Sequence, residues 1–453
     1  MDEASAGADP NPAPYDVIGV GFGPSNLALA VALAEHGGPL GGGPLNALFL
    51  ERRPSFGWHP GMLIEDATMQ VSFLKDLATM RNPVSRYGFL TYLHERGRLV
   101  DFINHKEFFP SRVEFHDYLE WAAAQFTDLV EYRTEALAVR PVTRDGEVLA
   151  FDVVSRGPEG ERVRRTRNLV VASGLVPLLP AGVERSERVW HSAELLERLP
   201  EVEGTGPRSF AVIGAGQSAA EVAAHLHGRF PRAEVHAVVP RYGYSPADDS
   251  PFANRIFDPD AVDAYFGAAP AVKEKFFEYH ANTNYSVVDL DVINDLYRRA
   301  YQESVRGERR LNVLNMSRVT ATGQGPDGRP RLEVEYLPDG RRTRLDVDVA
   351  VFATGYRQMD PVPLLGPVAA LCERDAAGLL RVGRDYRVDT GPDTRAGLYL
   401  QGGTEHTHGI SSSLLSNLAI RAWEIVESIA AAPRPAGEAA PDESIRSSAY
   451  VRS

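Results

Sequence analysis

Two glycine-rich turns of one design constrain this chain more than any other feature: Gly19-Val20-Gly21-Phe22-Gly23-Pro24 and Gly214-Ala215-Gly216-Gln217-Ser218-Ala219. Each follows a short β-rich apolar run, at residues 15–20 and 209–213, and opens a helix-like stretch. Strand, tight turn and helix in that order make a dinucleotide seat. The first glycine makes the turn and the second lets backbone approach a pyrophosphate. The bare helix N-terminus then offers free N–H groups and a positive dipole end to the anion. Gly19, Gly21, Gly23 and Pro24 are assigned to one nucleotide, and Gly214, Ala215, Gly216, Gln217 and Ser218 to another. One such motif is a weak sign; two in strand–turn–helix context weigh much more. A chain that builds this crevice twice is expected to pass electrons between two nucleotides.

The predicted class is α/β, with two Rossmann-like dinucleotide-binding domains and a small substrate-binding insertion. Residues 16–20 read as a buried strand, 25–35 as an Ala/Leu-rich helix, 37–44 as a glycine loop and 45–50 as the next strand, which ends on Glu51. A carboxylate there accepts hydrogen bonds from ribose hydroxyls. Residues 113–126 have helical spacing, and 167–173 read as another buried strand. In the second unit, after strand 209–213 and helix 221–229, strand 233–239 runs into Pro240 and Arg241 with no acid. An arginine near this place suits a ribose 2′-phosphate and hence NADP(H), unless Arg241 is merely a solvated loop cation. Residues 245–284 are rich in Pro, Asp and aromatics and read as neither strand nor long helix, a natural substrate platform at the crevice. Residues 346–353 and 398–403 read as strands, followed by an apolar helix to about Ile429 and a Pro/Ala/Ser-rich tail from Ala430. The expected division is 13–205 with 345–432, 206–245 with 285–344, the insertion 246–284, and disordered tails at 1–12 and 433–453.

The 453 residues carry a formal net charge of −13, which lends no support to a nucleic-acid or anionic-membrane partner. No apolar run approaches the roughly 18 residues of a membrane span. The N-terminus lacks the basic and apolar regions of a signal peptide, so a cytoplasmic protein is expected. A single cysteine, Cys372, excludes an internal disulfide framework, a C-x-x-C redox pair and a Cys-rich zinc site. His406 and His408 with Glu405 lack a separate third ligand cluster, so no metal is expected, and Asp248 with Asp249 reads as a solvated loop pair. If the first seat holds FAD and the second NADPH, hydride passes from nicotinamide to flavin. With no disulfide to accept the electrons, O2 is the leading acceptor, since it needs only a dry, shaped cavity.

Asp348-x-x-x-Phe352-Ala353-Thr354-Gly355-Tyr356-x4-Pro361 resembles the D-x3-(L/F)-ATGY-x4-(H/P) signature of flavin-dependent N-hydroxylating monooxygenases. Pro24 stands where a plain dinucleotide motif has a third glycine, as in that family. Residues 69–77 (Met-Gln-Val-Ser-Phe-Leu-Lys-Asp-Leu), 250–254, 282–286 and 405–409 are similar to further family blocks and occur in family order. The resemblance runs from about residue 15 to 428 and is closest to the L-ornithine N5-monooxygenases of hydroxamate siderophore and related peptide pathways. It implies FAD, NADPH and O2, a C4a-hydroperoxyflavin that hydroxylates the side-chain amine, and a homo-tetramer. The same scaffold also serves L-lysine or diamine hydroxylases and Baeyer–Villiger or sulfur monooxygenases, which stay open as alternatives.

By matching position, the resemblance implies that residues 51–59, with Trp58 and His59, line the FAD together with Gln70, and that Ala215 to Ser218 with Arg241 bind NADPH. Ser413, Leu414 and Leu415 would contact FAD through backbone, and Ser416 would face the substrate. Lys75 would pair with the ornithine carboxylate and Asn254 would hold its α-amine. Asn284 would sit between the nicotinamide ribose and the reacting amine, the one catalytic assignment. These residue types suit a zwitterion with a distal ammonium: one cation and neutral amide acceptors. The plainer readings are a surface Lys75 paired with Asp76, turn roles for Asn254 and Asn284, a core amide at Gln70 in a half-apolar strand, and simple packing for Trp58 and His59.

Overall fold

The computed structural model describes residues 14–37, 44–325 and 327–432. Both expected tails and the interior of the glycine loop lie outside them. Strand β1 (Tyr15–Val20) is buried along nearly its whole length, and helix α1 (Pro24–His36) follows at once. Strand β2 (Ala47–Leu50) pairs parallel to β1, with Val17 opposite Ala47 and Val20 opposite Leu50. On the other side β1 pairs parallel to β3 (Gly160–Val171), with Val20 opposite Val171. Two different jobs fall to β3. Its second half also pairs parallel with the strand Gly397–Leu400, while its first half closes an antiparallel meander with Glu147–Gly157 and Glu135–Arg144. The whole is one seven-stranded sheet.

Helix α1 is buried from Asn26 to Leu33. Burial of each of Leu27, Leu29 and Val31 contributes about 1.5–3 kcal/mol of transfer free energy.

The second sheet has five strands, ordered Leu311–Leu314, β5 (Glu234–Val238), β4 (Ser209–Ile213), β6 (Val349–Phe352), Val189–His191, and all pairs are parallel. Helix α2 (Gln217–Arg229) leaves β4 as α1 leaves β1. A three-stranded antiparallel sheet, Ser317–Gln324, Pro330–Tyr336 and Arg341–Asp346, flanks it. Two Rossmann-like units therefore stand in one chain, as the paired turns predict.

Several expectations need correction. The insertion carries two helices, α3 (Pro259–Phe266) and α4 (Pro270–His280), where sequence reading predicts no long helix. Each starts on a proline at its first turn, where the missing N–H is no loss. Tyr265 of α3 meets Phe276 and Phe277 of α4 at ring distances of 5.7 and 5.9 Å. Residues 69–77 form no strand. Met69 and Phe73 donate N–H to the carbonyls of Pro110 and Phe108 (2.8 and 3.0 Å) around an isolated bridge, so Gln70 sits on an exposed bend. The strand expected at 346–353 is broken, because the Asp348 carboxylate turns away to accept from the Arg208 and Ser209 N–H groups (2.7 and 3.0 Å) and the Ser209 hydroxyl (3.1 Å). The amphipathic helix α5 (Leu290–Arg306) was not foreseen, and the last helix, α6 (Leu418–Ala431), runs past the expected stop at Ile429.

Candidate active site

The two turns separate glycines the protein needs from glycines it does not. Gly21 has φ +83° and its Cβ would stand 2.5 Å from the Ala172 carbonyl oxygen; Gly214 has φ +149° and would meet the Ala353 carbonyl at 2.3 Å. Both press on the chain leaving the neighbouring strand. At Gly19 a Cβ would strike the Phe49 ring at 2.4 Å. Gly23 differs. It caps α1 in an extended conformation with no side-chain cap, and nothing lies within 4 Å of where its Cβ would be. Gly216 caps α2 in the same way, with Ser286 Cα as nearest neighbour at 3.5 Å. Open space and bare N–H groups at a helix start are the geometry of an anion seat. Glu51 accepts from the Phe22 N–H at 2.7 Å and the Arg53 N–H at 2.9 Å, so its carboxylate lies against the first turn. Sequence reading missed Asn26. Fully buried, it donates to the Gly21 carbonyl at 2.7 Å and accepts from Gln401 at 3.0 Å, pinning the turn to the end of strand Gly397–Leu400.

Trp58, His59, Tyr356 and His191 form a chain of edge-to-face rings at 5.3, 5.4 and 5.0 Å. His59 takes the left-handed conformation (φ 46°), and burial, helped by Arg112 and Arg53, pushes its pKa down to about 4. Gly355, at φ +81°, accepts from the Leu178 N–H and the His191 ring, both at 2.9 Å, which seats Tyr356 between the two histidines. That is the physical content of the Thr354-Gly355-Tyr356 run.

Ser413, Leu414 and Leu415 lie where two short 3-10 turns, Ile410–Ser413 and Leu415–Asn417, meet. Around them Ser412 Oγ, Ser416 Oγ and Asn417 Oδ1 are buried without a hydrogen-bond partner. Such groups are costly to leave unsatisfied.

A polar ladder joins the two units. Gln70 donates to Asp289 at 3.2 Å, Asp289 accepts from Gln217 at 3.0 Å, and Gln217 also donates to Glu221 at 3.0 Å. Glu221 holds Arg112 through two bonds of 2.9 and 2.8 Å. The Gln70 amide thus faces the second turn's helix. Ala215 is buried and Ser218 half-buried beside Gln217 at the start of that helix. Arg241 is exposed and donates to the Ser286 carbonyl at 2.9 Å.

Lys75 does not pair with Asp76. The Asp76 carboxylate is buried and turned to the N–H groups of Ala78, Thr79 and Phe89 (2.9, 2.6 and 2.7 Å). Lys75 is half-buried with its ammonium 5.9 Å from the Phe257 ring centre, and burial pulls its pKa down against a weaker pull from Asp258. Among the described residues no carboxylate lies within 4.0 Å of it. Asn254 belongs to the same 3-10 turn as that ring, Ala253–Phe257. Its Nδ2 is committed to the Asp249 carbonyl at 2.8 Å, which leaves its amide oxygen to accept. Asn284 lies beside Tyr285, whose hydroxyl donates to Glu405. Burial pushes the Glu405 carboxyl upward. His406 and His408 turn their rings to the carbonyls of Leu380 (2.9 Å) and Arg384 (3.2 Å). Among the described residues no group of three or more His, Cys, Asp or Glu is placed to share an ion.

A family profile described as L-lysine 6-monooxygenase/L-ornithine 5-monooxygenase matches residues 13–358. The L-ornithine N(5)-monooxygenase of Burkholderia cepacia is 44% identical over 404 residues, covering 87% of this chain and 90% of that one. The fold superposes on the ornithine N-hydroxylase of Kutzneria sp. 744, described with reduced FAD, NADP+ and L-ornithine, with a TM-score of 0.89. That match has 52% identity and covers 92% of this chain and 99% of that one. For the L-lysine 6-monooxygenase of Pseudomonas syringae the TM-score is 0.81, at 34% identity over 93% and 100% of the two chains. Paired nucleotide turns, the Thr354-Gly355-Tyr356 run and these similarities along the chain agree: it belongs to the L-lysine 6-monooxygenase/L-ornithine 5-monooxygenase family.

Proposed function

We propose that this chain is an FAD- and NADPH-dependent monooxygenase that places one atom of O2 on the N5 amine of L-ornithine, the other leaving as water. The Kutzneria enzyme supports the cofactor pair and the substrate. The residues present fit FAD at the first turn: the open space at Gly23, the Glu51 carboxylate beside it, and the partnerless buried atoms of Ser412 and Asn417, while the partnerless Ser416 hydroxyl is left for the substrate. They fit NADPH at the second, through the bare Gly216 cap and Arg241, the cation that follows β5. When bound, FAD supplies the redox chemistry that couples hydride from NADPH to O2.

Lys75 is the observation that carries the substrate: a half-buried ammonium with no carboxylate within 4.0 Å among the described residues, beside the turn that bears Asn254. An amino acid brings the missing carboxylate, and the free amide oxygen of Asn254 takes its α-ammonium. Asn284 orients the distal amine, which must be neutral to react. At a lysine-like pKa of about 10.4, losing that proton near pH 7.5 costs roughly 4 kcal/mol. Asn284 adds no charge to oppose the loss, and Glu405 is capped by the Tyr285 hydroxyl. Trp58 and His59 keep the wall of the site apolar and uncharged.

NADPH-driven hydroxylamine formation, compared for L-ornithine, L-lysine and putrescine alongside peroxide release, tests the assignment. Ornithine is expected to give hydroxylamine in step with NADPH use; ornithine yielding only peroxide overturns it. L-Lysine is the second reading, supported by the family's joint description and the Pseudomonas syringae structure. The reading extends to hydroxamate siderophore or related peptide biosynthesis and to a homo-tetramer, both supported by the family resemblance. Light scattering checks the latter.

A further inference from the structure

Arg421, on α6, is a cation in the wrong place for a stable interior. It is 2% exposed, and among the described residues no carboxylate lies within 4.0 Å of it. One guanidinium nitrogen donates to the Ser412 carbonyl and another to Ser25 Oγ at 3.4 Å, while Nε has no partner. Burying a charge without a counter-charge is costly. Its position adds to that cost, because Ser25 is in the first turn of α1, where the helix dipole is already positive. Two like fields converge on the Gly23 cap; the Glu51 carboxylate is engaged by the Phe22 and Arg53 N–H groups, and Glu424 acts on Arg421 only from beyond ion-pair distance.

We infer that Arg421 is the buried positive charge that completes the pyrophosphate seat of the first turn, acting through the Ser25 hydroxyl. The guanidinium has donors only, so it must take a lone pair of Ser25 Oγ. The hydroxyl proton is then left to point away from the guanidinium, available to an anion at the Gly23 cap, where a Cβ would meet open space. Arg421 is thus a positioning residue that turns Ser25 into a fixed donor and adds a desolvated charge behind it. The inference rests on the reading of the first turn as the FAD seat.

Flavin titration of the full-length chain, with its melting temperature measured without added FAD, tests it. Arg421→Met should raise the FAD dissociation constant ten-fold or more and leave the flavin-free melting temperature unchanged or higher, since a buried charge without a close ion-pair partner is gone. Arg421→Lys should recover most of the affinity. ADP, which carries the pyrophosphate without the flavin ring, should lose affinity in parallel. Ser25→Ala should weaken FAD several-fold, and Arg421→Met should then add little. Unchanged FAD affinity, unchanged ADP affinity, or a lower flavin-free melting temperature in Arg421→Met overturns the inference. If that variant does not accumulate folded, Ser25→Ala decides: unchanged FAD affinity overturns it. A wild-type chain that binds no FAD overturns the reading of the turn itself, and this inference with it.

Discussion

Single residues here divide into those the fold demands and those only a ligand explains. Gly21, at φ +83° and 2.5 Å from a carbonyl, belongs to the first kind, and Gly23 to the second. Gly21→Ala should therefore melt earlier by several degrees, whereas Gly23→Ala should keep its flavin-free melting temperature and lose at least ten-fold in FAD affinity. Lys75 stands with Gly23. Lys75→Ala removes a charge-assisted contact of about 2–3 kcal/mol, which corresponds to a 30- to 150-fold rise in the ornithine KM. Stopped-flow reduction by NADPH should stay near wild type; equal loss of both would make Lys75 structural. Glu51 and the glycines were legible in sequence because a strand end fixes where such residues stand. Asn26 and Arg421 were not. Their partners lie across 375 and 396 positions of chain, and no local pattern announces a bond of that span.

At the level of elements, each misreading has its own local cause. The insertion reads as neither strand nor long helix from its Pro-, Asp- and aromatic-rich composition, yet Pro259 and Pro270 open helices of 8 and 11 residues. Helix α4 buries no residue fully, and its short apolar set, Val272, Phe276 and Tyr279, is a weak helical signal. Alternation around Gln70 mimics a strand, but residues 69–73 spend their backbone bonds on residues 108–110. Contact between the two units is likewise invisible to periodicity. The helix Arg112–Ala123 meets α2 through the Arg112–Glu221 pair, with only 12% and 4% of the side chains exposed. Arg112→Met would leave Glu221 buried and unpaired, at a cost of about 3–5 kcal/mol. Chemical denaturation should show that loss, and Arg112→Met combined with Glu221→Met should regain part of it.

Across the whole molecule burial holds seven histidines, His59, His116, His191, His225, His227, His236 and His408, below the ordinary imidazole value. Burial lowers His59 to about 4 and His408 to about 3, the latter stacked on Tyr386 at 4.0 Å. Their folded values lie below the unfolded 6.5, so the unfolded chain binds more protons between those limits. Stability contributed by these rings is complete above about pH 6.5 and is lost as pH falls toward the folded values. The carboxyls of Asp76 and Glu405, raised by burial, act in the opposite sense. The histidine share is therefore read by difference: His408→Asn should flatten the pH slope of unfolding free energy by about one proton between pH 6 and 4. An unchanged slope would place His408 outside the titrating set.

The α/β class and both nucleotide seats were open to sequence reading, because each seat is built from contiguous residues. How the seats meet was not. Gln217 opens the helix of one seat while sharing Asp289 with Gln70 of the other unit. A guest that tightens one end of that amide–carboxylate chain must be felt at the opposite end. Linkage makes such an influence mutual: whatever factor NADP+ adds to flavin retention, flavin must return to NADP+. Asp289→Ala should bring both factors toward one, so that each coenzyme leaves as though the other were absent.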